Sequence, residues 1–468
     1  MWLRRLLLIP ILLGFVGLGV WVYFFYEPKP DARLACYYGG YDFSDGLIGS
    51  VTPTTGIRSL RLTLMSGETW KLDPAPDAGD MPTTFTMSRG WTGDVTPGAS
   101  VEFGSCTDGV VRIRGAGAVD DNEGRRNTFD ITEATFVSHG LKLYGRLVMP
   151  RVEGAVPVAV LGHGSERDSA VLFNRLQYLL PANGIGVFVF DKRGTGQSEG
   201  TYSQNFHWLA DDMAAALTTA RKTAGALARE VGFQGGSQAG WILPLAASKV
   251  KTDFVVVGFG LAEGVLAEDR EEVFDDLRGA GYGEDVIAKA REITDATGKI
   301  MLSRFKDRYE DLDAVRAKYG KEPWYEKVNG EYTGYLLGLP NWVIQIVGPW
   351  LDVGTSWEYD PLPALQAYQG PHLWVLAGRD SSAPSANTLK ILRDVQARRS
   401  NLDVVMFPNA DHGIIEFIQK PDGTRVETGF SPGYFPLLVD WIHFKQPQLT
   451  VSGPIVYDGD KPAAPAAP

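Results

Sequence analysis

The hydrophobic pattern changes its period several times along the chain. Residues 6–26, from Leu6 through Trp21-Val22-Tyr23-Phe24-Phe25-Tyr26, carry no charge and are predominantly apolar. As a helix this run is long enough to cross roughly 30 Å of hydrocarbon, so it predicts an N-terminal transmembrane helix over 1–26. From Ala32 to about Thr128 the pattern shortens to alternating stretches such as Ser59-Leu60-Arg61-Leu62-Thr63-Leu64 and Val110-Val111-Arg112-Ile113-Arg114, punctuated by Gly, Pro, Asp and Asn. That texture predicts a small all-β module over 32–128. Thr135-Phe136-Val137 and residues 141–149 then read as a hairpin turning at Ser138-His139-Gly140, with His139 a turn residue. Apolar runs follow at 158–161, 186–190, 231–234, 254–258, 373–376 and 402–407, with helical stretches such as 208–221 between several of them. This is the pattern of an α/β fold with a mostly parallel sheet, its first half over 129–261 and its second over 361–446. Residues 262–360 interrupt it with helical periodicity and mixed charge, as in 270–278 and 284–292, and read as a helical cap over the sheet's carboxyl end. The Pro- and Ala-rich stretch 447–468 reads as a disordered tail.

Three short segments, each just beyond an apolar run, carry candidate chemistry: Gly162-His163-Gly164-Ser165, Gly235-Gly236-Ser237-Gln238-Ala239 and Asp411-His412-Gly413. Ser237 has small residues at both second neighbours, as a sharp strand-to-helix turn demands, because bulkier side chains there would clash. The strand at 231–234 precedes it and the apolar helix at 241–247 follows, with Pro244 expected to bend that helix. A serine nucleophile needs a base, and His is the side chain that can take and return a proton near neutral pH. Of the six His, only His372, His412 and His443 follow Ser237, and His412 alone stands in a polar loop after a strand, which makes it the candidate base. Asp380, just past the strand at 373–376, is the candidate for orienting His412; Asp411 reads as a turn residue, since adjacent side chains point apart. The backbone N–H groups of Gln238 and Ser165 are candidate oxyanion donors, and His163 reads as a structural support of its loop.

Taken in this order, the segments resemble an α/β-hydrolase over roughly residues 130–445. Asp191-Lys192-Arg193-Gly194-Thr195-Gly196-Gln197-Ser198 is similar to the DKRGxGxS turn of bacterial α/β-hydrolases related to prolyl-oligopeptidase-like and acylaminoacyl-peptidase-like enzymes. The resemblance implies that this turn is architectural and that the β module is the N-terminal domain such hydrolases often carry. It departs at the elbow, where relatives often read GHSQGG: here Gly236 and Ala239 stand in place of the His and the following Gly. The expected activity is a serine hydrolase acting on a carboxylic ester through an acyl-enzyme. An amide or peptide hydrolase of the same fold, and a non-catalytic cell-surface binding protein on a hydrolase scaffold, remain the alternatives.

Composition narrows the partners. The formal net charge is −11, from 45 Lys plus Arg against 56 Asp plus Glu, and no basic stripe appears, so nucleic acid is not an expected partner. There is no phosphate loop and no Cys/His ligand cluster, so no cofactor and no metal is expected; the expected partners are a small-molecule ester or amide and a membrane engaged by the N-terminal helix. Arg4 and Arg5 precede the apolar run, which places the N-terminus in the cytoplasm and everything after Glu27 outside it; secretion after signal cleavage is the alternative. The only two cysteines, Cys36 and Cys106, both fall in the β module, where an oxidising compartment would let them pair and staple the module's ends. Trp324, Trp342, Trp350 and Trp357 of the cap read as core packing, or as lining of a pocket over the nucleophile.

Overall fold

The computed structural model describes residues 29–446, apart from 55, 78 and 117–119, together with 456–457. The expected membrane span over 6–26 lies outside the described residues, and among those described no helix is long and apolar enough to cross a membrane.

The β module is a closed barrel of eight antiparallel strands: β1 (Gly39–Phe43), β2 (Ile48–Pro53), β3 (Leu60–Leu64), β4 (Thr69–Pro74), β5 (Thr84–Arg89), β6 (Val95–Phe103), β7 (Val110–Arg114) and β8 (Asn122–Arg126), with β8 pairing back onto β1. Alternate positions fill the interior, among them Leu60, Leu62, Leu64, Phe85, Met87, Val101, Phe103, Val111 and Ile113, and closure leaves the sheet no free edge. Arg61 and Thr63, the outward positions of β3, are buried too, because the rest of the chain covers that side. The structure joins Cys36, in the 3-10 turn Ala32–Tyr37, to Cys106 in the β6–β7 connection. Arg126 of β8 donates to the carbonyl oxygens of both half-cystines. The bridge therefore fastens the segment leading into the barrel to a mid-module loop, whereas stapling of the module's two ends was the expectation. Cross-linking residues 70 apart removes up to about 4 kcal/mol of unfolded-chain entropy. Reduction should accordingly lower the midpoint of the barrel's thermal unfolding, and a Cys36→Ser variant should show the same loss without reductant. Intact mass before and after alkylation reports the pairing itself.

A nine-stranded mixed sheet follows, formed by β9 (Asp130–Ser138), β10 (Leu141–Met149), β11 (Val156–Leu161), β12 (Gly186–Phe190), β13 (Ala228–Gly236), β14 (Val255–Gly258), β15 (His372–Ala377), β16 (Leu402–Phe407) and, beyond a hairpin of β17 (Ile415–Gln419) and β18 (Arg425–Phe430), β19 (Val456–Tyr457). Its order is β19-β16-β15-β14-β13-β11-β12-β10-β9, parallel from β12 to β16 and antiparallel at both margins. β19 thus gives a place in the sheet to two residues of the stretch read as a disordered tail. Period two divides each central strand between two cores. Val158, Val160, Phe188, Phe190, Trp374 and Leu376 meet the helices Phe206–Ala224, Ala239–Ala247 and Ser385–Gln396. Ala159, Leu161, Val187, Val189, Leu373 and Val375 meet Leu176–Ala182 and Tyr434–Phe444. Both faces being covered, these strands read as unbroken apolar runs. The chain leaves β11 for β12 on one side and returns to β13 on the other, so the loops after β11 and β13 stand side by side at a topological switch point.

Between β14 and β15 the helices Val265–Gly279, Glu284–Leu302, Tyr309–Tyr319 and Asn341–Leu351 build a cap with its own core around Phe274, Ile293, Ile300 and Leu312. Trp324 is buried in that core and Trp357 is half-buried against Tyr332. Trp342 and Trp350 do neither of the things expected of them: they are 65% and 83% exposed on the outer face of Asn341–Leu351. The β17–β18 hairpin, which the sequence pattern did not announce, leans on the barrel: Trp91 N–H donates to the Glu427 carbonyl and Phe430 N–H to that of Gly67.

Candidate active site

β13 ends at Gly236, and the next residue, Ser237, turns the chain into the helix Ala239–Ala247 with φ +56°. That left-handed conformation is costly for a residue with a Cβ and throws the hydroxyl clear of the backbone. The small neighbours are required by contact. A Cβ on Gly235 would stand 2.7 Å from Cβ of Ala239, so the alanine methyl fits because position 235 has none. A Cβ on Gly236 would stand 2.2 Å from the ring of Phe259. Phe259 follows β14, and its ring meets the His412 imidazole edge-on at 5.0 Å between centroids. The departure at position 236 is thus compensated: the space vacated by the missing side chain is filled from the next strand. Phe259 was not foreseen, and only its position between Gly258 and Gly260, just after an apolar run, could have signalled it.

The structure brings Ser237, His412 and Asp380 together. His412 Nε2 lies 3.0 Å from Ser237 Oγ, and Nδ1 lies 3.0 Å and 3.1 Å from the two carboxylate oxygens of Asp380. With Nδ1–H donating to Asp380, Nε2 is left to accept from the serine hydroxyl. Asp380 is itself fixed by the backbone N–H groups of Ser382 and Ala383, at 3.1 Å and 2.7 Å. Burial pushes the His412 pKa down, but the hydrogen bond and charge of Asp380, joined by Asp411 and by Glu331 of the cap, outweigh it and hold the value above that of an ordinary histidine. Asp411 accepts from Ser381 and Arg425 and from its neighbour's backbone N–H, and so shapes the turn that presents His412.

Ser165 and Ser237 line the same cleft, and a Cβ on Gly164 would stand 3.5 Å from Cβ of Ser237. Lys192 Nζ donates to the Gly164 carbonyl at 2.8 Å, and Tyr202 Oη donates to that of Ser165. Across a trans peptide N–H and C=O point opposite ways, so the hydrogen bond to the Gly164 carbonyl also fixes the orientation of the Ser165 N–H. Gln238 directly follows Ser237 and caps the start of the helix Ala239–Ala247. His163 is buried, and its Nε2 donates to the Phe190 carbonyl at 2.6 Å. In the DKRGxGxS segment, Asp191 accepts from Ser169 Oγ, Val171 N–H and Gln197 N–H, while Arg193 pairs with Asp212 in the core. Lys192 is more than the architecture expected there: burial lowers its pKa to about 8, and its ammonium holds the loop beside Ser237.

The cleft containing Ser237 has a volume of about 560 Å³. Its far walls are Trp91 from the barrel, Arg175 and Phe430, and none of its lining residues comes from 262–360. The cap, expected over the nucleophile, meets the triad through charge: Glu331 acts on His412 and Glu268 feels Asp380, while the barrel's Trp91 and the hairpin's Phe430 line the cleft. Trp91, Arg175 and Phe430 were missed because long-range packing alone brings them to the site. Among the described residues no group of three or more His, Cys, Asp or Glu is disposed to hold a metal ion.

Strand order, the strained turn after β13 and the loop after β11 give the chain the α/β-hydrolase arrangement on its own geometry. No protein-family model matches the sequence, and no curated protein matches it at a significant level. Among solved structures it is similar to an esterase of Pyrococcus furiosus, at 14% identity over 61% of this chain and 84% of that one with a TM-score of 0.40. It is also similar to the acylaminoacyl peptidase of Pyrococcus horikoshii, at 13% identity over 84% and 55% with a TM-score of 0.43. A proline iminopeptidase of Mycobacterium smegmatis matches at 14% identity over 67% and 98%, with a TM-score of 0.40. Likenesses this distant carry no argument about activity, which is drawn from the site alone.

Proposed function

We propose that the chain is a serine hydrolase that cleaves a carboxylic ester through an acyl-enzyme. Ser237 Oγ attacks the carbonyl carbon as His412 Nε2 takes its proton; the N–H groups of Gln238 and Ser165 hold the oxyanion; His412 then returns the proton to the departing alcohol. Water, activated by the same imidazole, releases the acid and restores the serine. Asp380 keeps His412 in the required tautomer and offsets the charge that forms on it. The observation that carries the reading is the continuous path from Ser237 Oγ through both nitrogens of His412 to Asp380, each step near 3.0 Å, starting from a strained left-handed serine. An ester is favoured because an alkoxide leaves with less help than an amine. An assay of the full chain on short 4-nitrophenyl acyl esters and on aminoacyl 4-nitroanilides tests the choice: turnover of the esters is expected, and cleavage of the amides alone would replace the ester by an amide substrate.

The placement proposed for this activity is outside the cytoplasm, tethered by residues 1–26, with secretion after cleavage as the alternative. The apolar run 6–26 behind Arg4 and Arg5 supports it, and so does the joined pair Cys36–Cys106, since disulfides persist in oxidising compartments.

A further inference from the structure

One wall of the cleft has no part in the chemistry above. Arg175, immediately before the helix Leu176–Ala182, lies with its guanidinium carbon 4.5 Å from the centre of the Phe430 ring. Phe430 meets Trp91 edge-on at 5.8 Å, and the guanidinium carbon of Arg61 lies 4.2 Å from the centre of the Trp91 ring. The two arginines are in different circumstances. Arg61 donates to Thr54 Oγ1 and the Gly90 carbonyl and has Glu427 as a counter-charge. Arg175 has no ion pair and no side-chain hydrogen bond with any described residue, and its Nε is sealed from solvent without a partner. Burial brings its pKa only to about 10, so it remains a cation at neutral pH. The carboxylates that also line the cleft, Glu166 and Asp168, act on Lys192.

A partly buried guanidinium whose Nε has no partner and which has no counter-charge is costly unless an anion completes it. We propose that Arg175 is the anion subsite of this cleft, and that the substrate is an ester bearing a free carboxylate which Arg175 holds while Ser237 attacks the ester carbonyl. The proposal rests on the hydrolase reading and adds the substrate class. The planar fork of arginine matches a carboxylate with two parallel hydrogen bonds. One guanidinium balances one negative charge, which suits a carboxylate better than a phosphate dianion, and a cleft of about 560 Å³ accommodates a small half-ester of a dicarboxylic acid. The aromatic rings of Phe430 and Trp91 supply an apolar wall for the carbon chain between the two carbonyl groups.

The test compares kcat/KM of the full-length protein for two pairs of esters that differ only in a free or a methylated carboxylate: 4-nitrophenyl hydrogen adipate against methyl 4-nitrophenyl adipate, and 4-acetoxybenzoate against its methyl ester. In at least one pair the free carboxylate is expected to be preferred by about tenfold or more. Arg175→Gln should cut that ratio by a similar factor, and Arg175→Lys should restore part of it. A wild-type measurement guards against a variant that fails to fold: free adipate should inhibit competitively, and dimethyl adipate should do so about tenfold or more weakly. Equal rates within both pairs, or a ratio unchanged in Arg175→Gln, would overturn the proposal. A neutral fluorophosphonate separates the two failures. An adduct on Ser237 without anion preference removes only the subsite; no adduct and no turnover of any ester removes the hydrolase reading and this proposal with it.

Discussion

Replacing Ser237 by alanine is expected to lower ester turnover by about 10⁵-fold or more, leaving only what the oxyanion donors and binding contribute without a nucleophile. The change removes only the oxygen that lies 3.0 Å from His412 Nε2 and disturbs little else, because the turn is held by Gly235, Ala239 and the hydrogen bond from Ser237 N–H to the Gly258 carbonyl. Alanine keeps the Cβ and therefore the strain of φ +56°. Glycine relieves it, so Ser237→Gly should be as inactive and yet more stable to urea than wild type by about 1 kcal/mol. Inactivation coupled to stabilisation distinguishes a strained functional residue from one that merely packs. Turnover by Ser237→Ala within tenfold of wild type would show that another group carries the chemistry.

Asp380→Asn is expected to cost about 10³–10⁴ in kcat with the fold intact. The asparagine occupies the same volume, and its side-chain oxygen can still accept from Ser382 and Ala383 N–H. It can, however, offer its amide N–H to His412, favouring the tautomer that leaves Nε2 protonated and unable to accept from Ser237. The pH profile carries a second signature. His412 must be neutral to act as a base, so kcat/KM rises as pH passes upward through its pKa. In the wild type that limb should lie above the ordinary histidine value of about 6.5, because Asp380, with Asp411 and Glu331, outweighs the effect of burial. Without the Asp380 charge, burial acts with less opposition and the limb of the residual activity should move to lower pH. A limb that stays in place in Asp380→Asn would mean that Asp380 is not the carboxylate governing His412.

What could be read from the sequence is what local sterics and strand periodicity dictate. Ser237 needed small neighbours, His412 and Asp380 needed loops after strands, and the run from Val158 to Leu161 needed cover on both faces. These requirements act over a few residues and leave a trace in the chain. Closure of the barrel depends on β8 finding β1, some eighty residues earlier, and no local pattern states that. The β17–β18 hairpin reads as loop because its strands are only partly buried. The wall made by Trp91, Arg175 and Phe430 draws on three separate segments, and each looked unremarkable alone. Trp342 and Trp350 mark the opposite error: hydrophobic residues were assigned to the interior or to a pocket, and the structure leaves them on the surface of the cap.

The central claim is that Ser237 is an activated nucleophile. Labelling the full chain with a fluorophosphonate, with Ser237→Ala beside it and the adduct located by peptide mass, tests this without assuming a substrate. The account predicts one adduct per chain, on Ser237 and absent from the variant. Folded protein that takes up no label, or that takes it up equally in Ser237→Ala, would contradict it.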